Sequence, residues 1–384
     1  MFCSNDANWS NIYRYNNTNC DNPNLVYKEF LHVFNYGFNI CFSKKAVRKN
    51  KSTPRKEWMT IGLAKSCEIK STLYKIHKQT KTNESELKFT SYRNKLKTLL
   101  KKAENDFYSN QLNKNKHYPR KTWQCINGIL NKSNHNPSYP ESFNLNNTLI
   151  TDTKDIAENF NDYFIDIGKN LADKIPLSQK SFVDYIPNRF NTSESCAIRL
   201  TDPYEIIDIV NSMSNSTSAG IDEVSINILK SVICCIAKPL SIIINLCIMN
   251  GIFPEKMKIA KVCPILKSGP NNEFCNYRPI SVLPSFSKIY EKIISKRLLS
   301  FIELHNIFSP SQYGFRKKHS TYMAIMKFHE KVTKAIDKNE FCFEIFIDLS
   351  KAFDTLDHEV LLKKLSIYGI RGIANKLIKK LFAG

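Results

Sequence analysis

The sequence predicts an α/β (α+β) fold over residues 201–384, preceded by a mainly helical and strongly basic region. Three observations carry that prediction. Phe341 to Ile347 is an apolar run rich in Phe and Ile, the composition of a strand buried on both faces, and a helix-forming stretch follows it. Tyr92, Leu96, Leu99, Ala103 and Phe107 recur at helical spacing in a lysine-rich background. The net charge of +21 is unevenly placed, since residues 44–132 hold 23 Lys and Arg against 6 Asp and Glu, hence +17. With 384 residues and 42% hydrophobic content, the chain is long enough for two or three domains with a real core.

Taken in order, residues 1–43 read as a polar N-terminal tail, too polar in FCSNDANWSNIYRYNN for a signal peptide. Residues 44–132 read as the basic helical segment. Asn83-x-x-Glu86 resembles a capping box, and Lys95, Lys97, Lys101 and Lys102 fill the faces beside the apolar stripe. Trp58, Tyr74, Tyr92, Phe107, Tyr108 and Trp123 are interleaved with these cations. That pattern suits backbone contacts and stacking on RNA or DNA; a solvated helical surface accounts for it as well. The run Lys44–Lys56 also fits a nuclear import signal.

Residues 133–200 read as a linker interrupted by one short amphipathic helix, with Ile156, Phe160, Tyr163, Phe164, Ile167 and Leu171 on a stripe. Asp202-Pro203-Tyr204-Glu205 opens a helix with an N-cap, a proline at its first position and a returning Glu. Val232 to Met249 is the most apolar window, but Lys238, Pro239 and Asn245 interrupt it, so it reads as a buried helix rather than a membrane span. Ser287 to Leu304 is a further amphipathic helix with Lys288, Lys292 and Lys296 outward. The twelve cysteines contain no C-x-x-C spacing, so no metal framework is expected. Reduced thiols and an intracellular protein, nuclear or cytoplasmic and without a membrane, are expected instead.

The candidate chemistry lies at the end of the Phe341–Ile347 run. Asp348 closes it, a short loop carries Lys351, Phe353 and Asp354, and Asp357 stands as N-cap for HEVLLKKLSIYG, which closes at Gly369. A carboxylate fixed by a buried strand beside an open loop is suited to holding a divalent metal.

FIDLSKAFDTLDHEVLLKKL resembles the first palm motif of the reverse transcriptases of non-LTR (LINE-type, jockey-like) retrotransposons. Three further blocks follow the family's order. TSAGIDEVSINILK (Thr217–Lys230) resembles its Ser-x-Gly-x-Asp block, Val262–Leu298 its fingers segment, and Ser309–Thr321 the segment after that. Residues 201–384 would then be the fingers and part of the palm of a right-hand polymerase. Residues 44–132, with their two Trp-containing stretches, look like the connector that precedes it.

The resemblance implies RNA-directed DNA synthesis through two metal ions, Mg²⁺ or Mn²⁺, about 4 Å apart. RNA template, DNA primer and dNTP are the implied partners. By resemblance Asp348 is the catalytic, metal-bridging carboxylate, and Leu349 lends its backbone to a metal or to the triphosphate. Phe353 takes the aromatic position under the sugar, and Lys267 and Arg278 neutralise the triphosphate. From residue type alone, a core position is the lesser alternative for Phe353, and Gly314 and Arg316 fit either a template-facing turn or a structural one.

One departure is decisive. The family's second carboxylate pair is an Asp-Asp dipeptide, and this sequence contains none. The expectation is therefore a truncated polypeptide, inactive alone, or a non-catalytic RNA- or DNA-binding remnant of a mobile element.

Overall fold

A computed structural model describes residues 9–15, 22–42, 56–130, 139–145, 148–176, 180–186, 193–349 and 351–382. Most of the import-like run at Lys44–Lys56 lies outside them. The chain divides into two compact units, one of residues 45–139 and one made of everything else. Its architecture is helical with two small sheets.

In the larger unit, α1 (Ser10–Arg14) and α2 (Pro23–Cys41) come first. Here the structure departs from the polar tail expected of residues 1–43. Val26, Phe30, Phe34 and Phe38 recur every four residues, so they share one face of α2, and all are buried. Phe30 and Phe34 meet Phe286 edge-on at 5.2 and 5.0 Å. The other faces of α2 carry polar residues such as Asn24, Lys28 and Asn39 together with exposed Leu25, Tyr36 and Ile40.

The centre of this core is α8 (Ile226–Asn250), most of whose residues are buried. It is long and apolar enough to cross a membrane, yet most of its apolar window is covered by protein. Pro239 sits inside it, and Gly251 closes it in the left-handed region at φ 61°. Around it pack α2, α7 (Pro203–Ser212) and α10 (Ser285–Leu304), with α9 (Glu255–Lys258) beside α10. Asp202 caps α7 as expected, accepting from the Glu205 amide at 2.9 Å. Glu205 does not fold back to complete a capping box. It reaches across to α10, where Arg297 Nη1 donates at 2.7 Å and Lys296 Nζ at 2.8 Å. Lys296 is therefore engaged, and Lys288 and Lys292 remain outward.

The stretch expected to be a linker contains structure of its own. β1 (Phe143–Leu145) and β2 (Thr148–Ile150) form an antiparallel hairpin, and α6 (Thr153–Ala172) follows, capped by Asp152. Phe143, which no polar-linker reading anticipates, is fully buried against Phe160, Phe274 and Tyr277. β3 (Lys261–Leu266) and β4 (Tyr277–Val282) make the second antiparallel hairpin.

The larger correction concerns Phe341–Ile347. After α11 (Thr321–Asp337), this run forms no strand, and its side chains are exposed, 95% for Phe341 and 85% for Ile345. A strand needs lateral partners for its N–H and C=O groups. The described strands form two separate two-stranded hairpins, joined to other segments only by the Asn144–Glu273 bridge, and none pairs with residues 341–347. The helix beyond it does form: α12 (His358–Ile367) is capped by Asp357, which accepts from Glu359 and Val360 amides at 2.8 and 3.0 Å. Gly369 follows at φ 95°, and α13 (Gly372–Phe382) packs Leu377 into the α8 core. Among the described residues nine cysteines are free, and Cys235, against the all-reduced expectation, is disulfide-bonded.

The smaller unit is α3 (Ile61–Thr80), α4 (Asn83–Lys114) and α5 (Pro119–Ile129). The cap of α4 is Thr82 rather than Asn83, accepting from the Ser85 amide. Of the expected apolar stripe on α4 only Leu96 is buried. Trp58 is buried too, while Trp123 and Tyr74 remain exposed.

Candidate nucleotide and nucleic-acid site

The site is best built from the β3–β4 hairpin. Arg278 pairs across with Ile265, and the ladder continues past the strand as the Lys267 amide donates to Asn276 O at 2.8 Å. Residues 265 and 267 share a face, so Lys267 and Arg278 occupy diagonal positions on one side of the hairpin. Both are exposed, and neither makes an ion pair among the described residues.

The connecting loop is pinned. Gly269 sits at φ 87°, and a Cβ there would meet the Asn276 side chain at 2.9 Å. Asn276 Nδ2 donates to Pro270 O at 2.9 Å, and the Tyr277 hydroxyl donates to Asn271 O at 2.6 Å. The Asn144 amide donates to Asn272 O at 2.8 Å, which ties the upstream hairpin to the same loop. Two cations on one face of a braced hairpin suit a polyphosphate.

The Ser-x-Gly-x-Asp block braces this hairpin at its other end. A Cβ on Gly220 would lie 2.8 Å from backbone atoms of Leu283 and Pro284, so only glycine permits this approach. Asp222 accepts from the Ser285 amide at 2.7 Å and the Val224 amide at 3.4 Å. Burial pushes its carboxyl up, and those two amides oppose the shift. Gly220 and Asp222 thus fasten the junction between β4 and α10.

A second group forms around Phe353. Residues 351–355 make a turn in which the Asp354 amide donates to Lys351 O at 2.9 Å. Phe353 is 80% exposed, which removes the core reading of it. It meets Phe315 edge-on at 6.2 Å, and Phe315 stands between Gly314 and Arg316. Arg316 Nη1 donates to Ser309 O at 3.3 Å, and its guanidinium lies 4.9 Å from the centre of the Phe308 ring. The Gly314–Arg316 turn is thereby held beside the Phe353 loop. Helix α6 supports that loop from behind, with Lys351 Nζ over the Tyr163 ring at 5.5 Å. At Gly168 a Cβ would overlap the Asp354 carbonyl.

Asp348 and Leu349 lie on the exposed run, and no hydrogen bond or ion pair holds Asp348 among the described residues. No group of three or more His, Cys, Asp or Glu converges among those residues. A hard divalent ion needs about six oxygen ligands. One carboxylate and a backbone carbonyl among the described residues fall short of the two-ion site that the sequence resemblance implies.

Sequence reasoning missed α2, Gly168 and Phe315, and placed Tyr163 on a helical stripe without a role at this site. Of the missed features only α2 left a signal, the four-residue recurrence of Val26, Phe30, Phe34 and Phe38. The others act through tertiary contacts that no local pattern marks.

Residues 265–383 match the reverse transcriptase (RNA-dependent DNA polymerase) family. The chain is 34% identical over 162 residues to a probable RNA-directed DNA polymerase from transposon BS of Drosophila melanogaster, covering 42% of this chain and 18% of that protein. It is 32% identical over 158 residues to the polymerase from transposon X-element of the same species, covering 41% and 17%. It is 33% identical over 126 residues to the polymerase from mobile element jockey of Drosophila funebris, covering 33% and 14%. The resemblance to jockey-like, non-LTR polymerases holds over this part of the chain. The chain spans less than a fifth of the length of these relatives.

Proposed function

We propose that these residues are the nucleotide- and template-gripping portion of a non-LTR retrotransposon reverse transcriptase, with fingers and part of a palm in residues 201–384. The observation that carries the reading is the pairing of Lys267 and Arg278 on one face of a braced hairpin inside the matched stretch. In this role they neutralise the triphosphate of an incoming dNTP. Phe353 lies under its sugar, Gly314 and Arg316 face the template, and Asp348 with Leu349 contributes to a Mg²⁺ or Mn²⁺ site. The basic unit adds backbone grip on the RNA template and DNA primer. Because the sequence contains no Asp-Asp dipeptide, these 384 residues bind template–primer without extending it.

The test is primer extension on an RNA template with Mg²⁺ or Mn²⁺, run beside Asp348→Ala and a binding titration. Binding without extension is the expected result. Extension that Asp348→Ala abolishes would show that the remaining carboxylates are supplied, and the inactivity of the chain would be refuted. Absence of both binding and extension would overturn the reading.

A further inference from the structure

Outside the hairpin, a notch of about 480 Å³ opens between the loop that follows α7 and one face of α10. Ser214, Ser216 and Ser295 line it with hydroxyls, and Lys288 and Lys292 line it with ammonium groups. The loop wall is fixed from beneath. Lys230 Nζ, on α8, donates to Met213 O at 2.6 Å and to Asn215 Oδ1 at 2.9 Å. The Ser218 amide donates to Ser216 Oγ at 3.1 Å, which completes the turn.

The helix wall is unusual in its charge. Lys288, Lys292 and Lys296 stand one turn apart, about 6 Å per step along the axis. Lys296 is neutralised by Glu205, but neither Lys288 nor Lys292 forms an ion pair among the described residues. Lys288 is half-buried and feels the Asp222 and Glu291 carboxylates, whereas Lys292 is exposed, and an anion in the notch would meet both ammonium groups. Glu291 also lines the notch. The Ser287 hydroxyl donates to its Oε1 at 3.4 Å; burial pushes its carboxyl up, and Ser287 and the Lys288 charge oppose that shift.

We infer that this notch is a binding site for the phosphodiester backbone of a nucleic acid, with Lys288 and Lys292 as the cations and Ser214, Ser216 and Ser295 as donors. The inference deepens the polymerase reading by adding a backbone contact away from the nucleotide-facing hairpin. It does not require that the chain polymerise.

The experiment measures binding of the full 384-residue chain to a labelled single-stranded RNA and to a DNA duplex across a range of salt concentrations. Comparison is with Lys288→Gln/Lys292→Gln and with the charge-keeping Lys288→Arg/Lys292→Arg. Because the basic unit also binds, the readout is the change in salt slope rather than affinity alone. Loss of two phosphate contacts lowers the slope by about 1.4 for the single strand or about 1.8 for the duplex. The arm that shows its decrement identifies the strand, and the Arg variant is expected to restore it. An unchanged slope in both arms would overturn the site. So would a slope that the Arg variant fails to restore while the melting temperature falls, since that marks a structural role. Failure of the notch alone shows as an unchanged slope in a chain that still binds template–primer, whereas failure of the polymerase reading shows as absence of binding and extension together.

Discussion

Two apolar stretches of this chain meet opposite fates. The Ile226–Asn250 helix is mostly buried, while the apolar Phe341–Ile347 run is exposed. A helix satisfies its backbone within itself and asks its neighbours only for side-chain packing. α2, α7 and α10 provide that packing, so α8 is complete with the elements present. A buried strand asks for hydrogen-bonding neighbours as well. None stands beside residues 341–347 among the described residues, and the apolar side chains are left uncovered. The contrast teaches that apolar composition alone does not bury a segment; completed backbone pairing does.

The sharpest way to break this comparison is to remove packing from the α8 side. Phe286 is fully buried and meets both Phe30 and Phe34. Phe286→Ala is expected to cost about 3–5 kcal/mol, read by urea or thermal unfolding. A cost under about 1 kcal/mol would mean that α2 does not belong to this core.

Next comes the link between α7 and α10. The Arg297 guanidinium beside Glu205 holds that carboxyl at about 2, well below its ordinary value, and Lys296 and Thr201 add to the effect. Arg297 is buried and also donates to the Arg199 and Leu200 carbonyls. A depressed carboxylate pKa stabilises the folded state above the unfolded-state value, near 4.5, and that contribution is lost as pH falls toward 2. Glu205→Gln is expected to cost about 3 kcal/mol at neutral pH, because Arg297 is left buried without its counter-charge. The variant's stability should also vary less than the parent's between pH 4.5 and 2, measured by unfolding at each pH. An unaltered pH profile would show that Glu205 is not the titrating group.

A smaller effect is expected at the brace beneath the hairpin. Gly220→Ala places a Cβ against backbone that cannot swing away, and about 1–3 kcal/mol is expected from that overlap. Wild-type stability in this variant would mean that the Ser-x-Gly-x-Asp block is not held by close approach.

Legibility in the sequence followed the same division. Helices with a cap or an apolar stripe were readable: α7 and α12 begin at the Asp202 and Asp357 caps, and α6, α8 and α10 cover the stripes at Ile156–Leu171, Val232–Met249 and Ser287–Leu304. However, α8 starts earlier, at Ile226, behind a Ser225 cap the sequence reading did not mark. Compositional reading failed at α2 and at the β1–β2 hairpin, where Asn and Ser masked a few well-spaced aromatics such as Phe34 and Phe143. In the candidate site, the pairing of Lys267 with Arg278 follows from strand alternation and is recoverable from sequence once the hairpin is drawn. The meeting of Phe315 with Phe353, and of Gly168 with Asp354, joins segments far apart in the chain. Nothing local in either partner records it.

The exposed run supplies the smallest effect and the most direct discrimination. Ile345 is 85% exposed and carries no packing that a charge would disrupt. Ile345→Lys should therefore change the unfolding free energy of the 384-residue chain by no more than about 0.5 kcal/mol. The same substitution at Ile243, fully buried on α8, should prevent folding, since it places an unpaired charge in the core. Phe341–Ile347 combines high β-propensity, a single charge at Glu344 and no proline, so its open edges also favour pairing between copies. The lysine should reduce any concentration-dependent association seen by light scattering, at unchanged monomer stability. Destabilisation at Ile345 by several kcal/mol would instead mean that this run is already packed within the chain, and the contrast with α8 would fail.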